Sequence, residues 1–180
     1  MALVGCGNGR AAGSALPAAA ASSSGPAAPR EATPTVANPA LCASREPAPR
    51  DPFPFNRDAA RRDGMLHFYD PGGERYAGGA AHFDDLDSTG LAALLEARFI
   101  DPHEGQNAAP TAWEIFQFLC RHPQARAMGY VISIERPDYR TSLETVYAEQ
   151  IDADLRTDAG KFCVDADEVT TDDHLECFWD

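Results

Sequence analysis

The sequence predicts a small α+β domain that follows a disordered N-terminal leader. Two observations carry this prediction: the order of the strand-like and helix-like segments, and a change of composition near residue 63. Short strand-like segments come first, two helical segments follow, and three or four strand-like segments complete the chain. Because runs of one element type favour α+β folds over repeated βαβ units, we expect a mixed or mainly antiparallel sheet of about five or six short strands, with two helices on one face.

Residues 1–62 have the composition of a disordered segment. Nine of the 14 prolines precede Phe55, and alanine and serine clusters fill much of the remainder. Large apolar side chains are scarce there, so burial cannot offset the roughly 1–2 kcal/mol per residue that ordering a backbone costs. We therefore predict a disordered leader over residues 1–62 and an acidic domain over residues 64–180. An alternative hypothesis is that translation starts at Met65, where periodic structure begins.

A β-hairpin is predicted at the start of the domain. The apolar residues 66–69 are followed by the sequence Asp-Pro-Gly-Gly at residues 70–73. Proline presets φ at the second position of a turn, and glycine accepts a positive φ at the third. We expect residues 74–77 to return as the second strand.

Two helices are predicted from their N-terminal caps and their apolar spacing. For the first, Asp87 or Ser88 can cap the N-terminus, after which leucines recur at helical intervals. For the second, Thr111 and Glu114 have the spacing of a capping box, in which each side chain accepts a hydrogen bond from the other residue's backbone N–H. This helix ends near Pro123. It is apolar over most of its circumference, so we expect it to pack on the sheet.

The C-terminal part of the domain is predicted to consist mainly of strands. Residues 127–135 alternate between two faces, and residues 142–151 are the expected antiparallel partner. The acidic residues 152–159 indicate a turn with at most one turn of helix. Residues 161–164 and 174–179 are expected to form two further short strands. The last strand places three side chains on one face: Leu175, Cys177 and Trp179.

The charge of the chain and its distribution of apolar residues exclude two kinds of partner. The sequence has 15 Lys and Arg against 28 Asp and Glu, so its formal charge is −13 and its pI is about 4.6. Because the leader is mildly basic, residues 64–180 alone carry −15. A domain of this charge lacks the basic stripe that phosphate groups require, so no nucleic-acid partner is expected. No run of about 18 apolar residues is present, so no membrane partner is expected either.

Cysteine usage is typical of a protein in a reducing compartment. Three of the five cysteines lie in the predicted domain, an odd number that does not indicate a disulfide framework. Cys163 and Cys177 could face each other across neighbouring strands, but cysteine is often simply a small buried residue. Cys120 with His122 or His174 is the one nucleophile and base that can be named, and Cys120 is more simply a core residue of its helix. We therefore expect a cytoplasmic protein with reduced cysteines.

The densest acidic stretch, residues 165–176, resembles a calcium-binding loop only in part. Five residues fall at ligand positions of the loop template, and the four carboxylates among them are weak metal candidates: Asp165, Asp167, Thr171, Asp173 and Glu176. The template also needs an oxygen where Val169 lies and a glycine where Thr170 lies, and neither residue serves. We interpret the stretch as a solvated strand–turn–strand with its turn at Asp172 and Asp173, and we expect no bound metal. Glycine-rich sequences lack the strand and helix that a phosphate loop needs, so no cofactor is expected.

Two loops are candidates for interactions. Arg136, Asp138, Tyr139 and Arg140 bring cations together with an aromatic ring, so this loop could bind an anion or an acidic surface. The simpler interpretation is that its arginines pair with Asp138 and neighbouring carboxylates. Residues 103–107 form a polar loop between the two helices that could line a cleft.

No motif ties the chain to a known family, and no catalytic residue can be assigned. The leading hypothesis is a non-catalytic interaction or inhibitor-type module that binds a basic protein, because a strong negative field speeds association with a positive surface. One alternative is a carboxylate-based enzyme that could use a divalent metal. Its candidate residues are Asp152, Asp154, Asp165 and Asp167. A second alternative, a structural subunit of an oligomer, depends on Trp113 or Trp179 being exposed. The sequence leaves the oligomeric state open.

Overall fold

The computed structural model describes residues 39–69 and 75–180, which contain a six-stranded sheet. Its strands are β1 (His67–Phe68), β2 (Ala80–Leu86), β3 (Arg126–Ile132), β4 (Thr141–Ala148), β5 (Glu168–Thr170) and β6 (Leu175–Phe178). They lie in the order β1-β2-β3-β4-β6-β5, and every neighbouring pair is antiparallel. The described helices are α1 (Pro39–Cys42), α2 (Ala59–Asp63), α3 (Ser88–Glu96), α4 (Ala112–Arg121) and α5 (Ala153–Phe162). The predicted α+β class with a mainly antiparallel sheet is confirmed.

Helices α3 and α4 begin at the predicted caps. The Asp87 side chain accepts a hydrogen bond of 2.8 Å from the Gly90 backbone N–H. At α4 the Thr111 hydroxyl accepts from the Glu114 N–H at 3.2 Å, and the Glu114 carboxylate accepts from the Thr111 N–H at 2.8 Å. Both helices then bury one apolar face in a single core that they share with the sheet. Local sequence therefore sets where these helices start, and packing holds them.

The central strand pair β3–β4 is also as expected, although β3 ends earlier than predicted, at Ile132. Its backbones approach closely at Gly129. A Cβ atom placed there would lie 2.0 Å from the Ser142 carbonyl oxygen, so only glycine fits at this position. The pairing register shifts between Met128 and Gly129, which marks an irregularity in the ladder at this point.

The first hairpin differs from the prediction. β1 pairs with β2, whereas residues 74–77 were expected to be its partner. A short 3₁₀ turn at Ala77–Gly79 precedes β2, with positive φ at Gly78 and Gly79. Positive φ suits glycine and interrupts an extended strand, so the chain pairs only after these two residues. The predicted turn at residues 70–73 lies outside the described residues.

Helix α5 replaces a predicted turn and a predicted strand at residues 161–164. The Asp152 carboxylate caps the helix by accepting from the Leu155 N–H at 2.8 Å. Leu155 and Ala159 are four residues apart and fully buried, so they hold one face of the helix on the core. Both signals are local, but the three acidic residues Asp152, Asp154 and Asp158 favoured the interpretation of this segment as a turn.

Strand β6 lies within the strand predicted at residues 174–179, and β5 lies within residues 165–176, which were interpreted as a strand–turn–strand. β5 and β6 form an antiparallel pair, with Asp172 and Asp173 in the turn between them. Leu175, Cys177 and Trp179 are all buried, as the alternation along β6 indicated.

The ordered domain begins earlier than the predicted boundary at residue 64. Arg62, the last residue of the predicted leader, is fully buried and donates to the Ile132 carbonyl oxygen at 3.2 Å. The Asn56 side chain donates to the Ala97 carbonyl oxygen at 3.1 Å, and the Tyr139 hydroxyl donates to the Asn56 carbonyl oxygen at 2.8 Å. Residues 39–62 therefore make polar contacts with the rest of the domain. The prediction of disorder considered only how few large apolar residues they contain, and it is wrong for them. Residues 1–38 of the predicted leader lie outside the described residues.

The expectation of reduced cysteines is wrong for the four cysteines that the structure describes. Cys42 is joined to Cys120, and Cys163 is joined to Cys177. The first disulfide ties the segment before the domain to α4, and the second ties the end of α5 to β6. Cys6 lies outside the described residues. The count in the predicted domain was odd because Cys42, the partner of Cys120, was assigned to the leader. Among the residues described, no helix is long and apolar enough to cross a membrane.

Candidate functional site

The structure brings together the two loops that the sequence offered separately. In the α3–α4 loop, the Glu104 carboxylate accepts a hydrogen bond of 2.9 Å from the Ser142 hydroxyl of β4. The Gln106 side-chain oxygen accepts a hydrogen bond of 2.8 Å from the Tyr130 hydroxyl of β3. Arg140 belongs to the β3–β4 loop and joins these groups. Its guanidinium donates to the Tyr130 hydroxyl at 3.1 Å and lies 3.4 Å from the Glu104 carboxylate. The result is one connected polar cluster across strands β3 and β4.

The arginines of the β3–β4 loop pair with carboxylates. Arg136 forms a bidentate pair with Asp138, with N–O distances of 2.9 and 2.8 Å, and Arg140 lies 3.2 Å from the same carboxylate. The hydrogen bonds from Arg136 lower the pKa of Asp138 to about 2. These contacts agree with the interpretation that the arginines of this loop pair with Asp138. The Asp138 carboxylate therefore neutralises positive charge that an external anion would need.

Tyr139, the aromatic member of that loop, is buried. Its ring packs against Phe55, and the guanidinium of Arg62 lies 5.1 Å from the ring centre. Tyr139 therefore fixes the N-terminal segment to the domain and does not present its ring to a partner.

The carboxylate of Glu104 is half-buried within the polar cluster. Burial raises the pKa of Glu104 above its ordinary value of 4.5, and the hydrogen bonds from Ser142 and Gln106 oppose this effect. Ser142, Gln106 and Arg140 all contact its Oε1 atom, so this oxygen belongs to a polar network within the protein.

The four weak metal candidates do not converge on a common point. Asp165 is exposed, and the Asp167 carboxylate accepts from the backbone N–H of Asp180 at 2.8 Å. Asp173 lies 2.8 Å from His174, and Glu176 lies 4.0 Å from the same ring. Across residues 39–69 and 75–180, no group of three or more His, Cys, Asp or Glu is placed to hold a metal ion.

The residues named for an enzyme are divided between different places. Asp152 and Asp154 line a polar groove of about 540 Å³ between the end of α4 and the start of α5, together with His122 and Asp158. His122 is buried and its Nε2 lies 3.0 Å from the Asp158 carboxylate. Asp165 and Asp167 do not line this groove. Since Cys120 is in a disulfide, it is not available as a nucleophile, and the hypothetical Cys120–His122 pair is wrong.

The negative charge of the domain is concentrated in its last 32 residues. Residues 149–180 contain eleven acidic side chains and two basic ones, so they carry −9 of the −15. We call these residues the acidic edge, because they contain α5 and the strands β5 and β6 at one end of the sheet order. Ten of the eleven carboxylates are exposed, and Asp158 is half-buried. The sequence showed the acidity, but only the topology shows that these residues belong to one end of the sheet.

Two exposed apolar side chains interrupt the acidic edge. Val164 is 73 % exposed and Val169 is 49 % exposed, and the described chain has one other large apolar residue exposed to this degree, Tyr69. Nothing in the sequence singles out these two valines, since a valine in a strand pattern is ordinarily assigned to the core.

Comparison of the chain with family models, with curated proteins and with solved structures finds no match.

Proposed function

We propose that this protein is a non-catalytic interaction module that binds a basic protein partner through the acidic edge. The uneven distribution of charge carries this proposal. Acidity needed only for solubility has no reason to concentrate, whereas a partner surface of opposite charge is recognised best by charge gathered in one region.

The carboxylates of the acidic edge are largely free of internal counter-charges. Of its eleven acidic residues, ion pairs within the described chain involve three: Asp158, Asp173 and Glu176. One of the two basic residues, Arg156, uses its guanidinium on the backbone carbonyl oxygens of Thr171 and Asp172. The negative field of this end is therefore available to steer a basic partner and to pair with its side chains.

Titration with polyarginine at several salt concentrations tests this proposal. Asp165→Lys combined with Asp172→Lys changes the acidic edge, and Glu96→Lys combined with Glu135→Lys gives the same net charge elsewhere on the exposed surface. We expect the first pair to weaken binding about tenfold more than the second, with affinity falling as salt screens the charges. Equal weakening by both pairs, or binding that is insensitive to salt, would contradict the proposal.

The two disulfides also bear on where the protein works. Disulfides form and persist in oxidising compartments and are rare where glutathione and thioredoxin act. We therefore propose an oxidising compartment in place of the expected cytoplasmic one. Alkylation of the protein from its native cell, without reduction, followed by mass measurement should find Cys42, Cys120, Cys163 and Cys177 unmodified. Alkylated cysteines at these positions would contradict this part of the proposal.

A second candidate function is a carboxylate-based enzyme, favoured by the groove that contains Asp152, Asp154 and the His122–Asp158 pair. Thermal melts with and without Mg²⁺, Ca²⁺, Mn²⁺ and Zn²⁺ separate the two candidates. A rise of several degrees with one ion supports the enzyme, and unchanged melts support the interaction module.

The third hypothesis, an oligomer subunit, loses its motivation because Trp179 is buried and Trp113 is half-buried.

A further inference from the structure

Strand β5 forms one end of the sheet. It pairs with β6 on its inner side, and no other strand of the described chain pairs with its outer side. The outward N–H and C=O groups of such a strand can accept a further strand from another chain. This free edge is a feature of the backbone and is independent of the charge around it.

The register of β5 determines which side chains an added strand would meet. Val169 lies opposite Cys177, so the two share a face of the sheet. Cys177 is buried and joined to Cys163 at the end of α5, so this face is the one that the helix covers. Val169 remains half-exposed at the margin of that face.

The other face of the same edge carries negative charge, and Phe178 is the one apolar residue that β5 and β6 place there. Glu168 lies opposite Phe178, and Thr170 lies opposite Glu176, so these side chains point away from the face of Val169. Glu168 and Glu176 are both exposed, and Asp165, Asp167 and the two aspartates of the turn lie just before and after β5 in the chain.

We propose that β5 accepts an extended segment of the basic partner as a seventh strand, with arginine or lysine alternating with apolar residues. This inference rests on the proposed function and names the form in which the partner binds. Apolar residues of the segment lie beside Val169, and the basic residues between them lie beside Glu168 and Thr170, on the face that also carries Glu176 of the next strand. Backbone hydrogen bonds supply affinity, and the two faces of β5 supply the selection for an alternating sequence.

The same charges disfavour the pairing of β5 with a second copy of itself. Two acidic edges brought side by side would place like charges on adjacent strands, which is destabilising. The side chains of a basic strand would instead be attracted to these carboxylates. The charge of β5 therefore disfavours pairing with a second copy and favours a basic segment.

Three peptides with the same numbers of Arg and Val residues test the inference with the unaltered full chain. The first alternates Arg and Val, the second groups all Arg before all Val, and the third is the alternating peptide with N-methyl groups on alternate backbone nitrogens. We expect the alternating peptide to bind about tenfold more tightly than either of the others, because only it can both form the ladder and match the two faces.

A pair of valine variants locates the site on the protein. Val169→Lys and Val164→Lys each add one positive charge at an exposed valine of the acidic edge, but only Val169 lies in β5. We expect Val169→Lys to abolish the preference for the alternating peptide and Val164→Lys to retain it. Circular dichroism of both variants establishes that they are folded, and the peptide comparison does not depend on either.

The possible results separate the two proposals. Equal binding of all three peptides would overturn strand addition while leaving the proposed electrostatic function intact. Absence of binding by all three, together with absence of polyarginine binding, would overturn both. A preference for the alternating peptide that persists in Val169→Lys would overturn the assignment of the site to β5.

Discussion

Arg62 shows how one buried charge can hold two distant parts of the chain together. Its guanidinium lies 2.8 Å from the Asp63 carboxylate, donates to the Ile132 carbonyl oxygen at the end of β3, and bonds the Tyr76 hydroxyl. It also lies over the ring of Tyr139. Burial, assisted by the hydrogen bond to Asp63, raises the pKa of Tyr76 to about 12. Tyr76 therefore stays a neutral hydroxyl that donates to Asp63 and completes the network.

Replacement of Arg62 by alanine is expected to lower the free energy of unfolding by about 3–5 kcal/mol, since it leaves the partners of a buried ion pair unpaired. Lysine should not rescue the loss, because one ammonium group cannot make the several directed contacts of a guanidinium. Urea unfolding measures both variants, with the exposed Arg61→Ala as a control expected within about 0.5 kcal/mol of the wild type. A loss under about 1 kcal/mol for Arg62→Ala would show that this network does not hold the N-terminal segment.

Glu104 gives a prediction about pH. Its pKa is raised above 4.5 in the folded state by burial, so the folded protein binds this proton more tightly than the unfolded chain. The contribution of this proton to the free energy of unfolding is complete below pH 4.5. It is lost as the pH rises through the raised pKa of Glu104. We therefore expect the free energy of unfolding of Glu104→Gln, relative to the wild type, to rise as the pH is raised above 4.5. Exposed Glu96→Gln is the control, and parallel pH profiles for wild type and Glu104→Gln would contradict the prediction.

At the scale of elements, local signals and long-range constraints contribute separately. The capping groups of α3, α4 and α5 specify where each helix starts, because the bonds they make span only three residues. The position of α4 against the N-terminal segment depends instead on the Cys42–Cys120 disulfide, which spans 78 residues.

Removal of the Cys42–Cys120 disulfide is expected to be costly, because it closes a long loop in the unfolded chain. For a separation of 78 residues the loss of chain entropy corresponds to about 4.5 kcal/mol. We predict a decrease of that order in the free energy of unfolding for Cys42→Ala with Cys120→Ala, measured in urea without reductant. The Cys163–Cys177 disulfide is unchanged in this variant. A decrease below about 1 kcal/mol would indicate that residues 39–55 are not constrained through this bond.

At the scale of the whole molecule, the domain consists of residues on both sides of the predicted boundary. Cys42, Asn56 and Arg62 all precede Met65, and each contacts a residue at position 97 or later in the sequence. A chain that begins at Met65 lacks these contacts and exposes the surface they cover.

We therefore predict that a chain beginning at Met65 melts at a lower temperature, or without a cooperative transition, when compared with a chain beginning at Pro39. The two chains differ only by residues 39–64, so the comparison measures their contribution alone. Thermal melts followed by circular dichroism make the measurement. Equal melting temperatures would show that the domain is complete from residue 65 onward.

The sequence by itself determined the fold class, the starts of α3 and α4, the β3–β4 pair and the buried face of β6. Each of these depends on groups three or four residues apart in a helix, or on alternation along a strand. Such signals come from residues that are close together in the sequence. Tertiary structure alone decided the ordering of residues 39–62, the cysteine pairing, the meeting of the two polar loops and the end of the sheet to which the negative charge belongs. These features join residues that are distant in the chain, and composition and spacing carry no information about which distant groups meet.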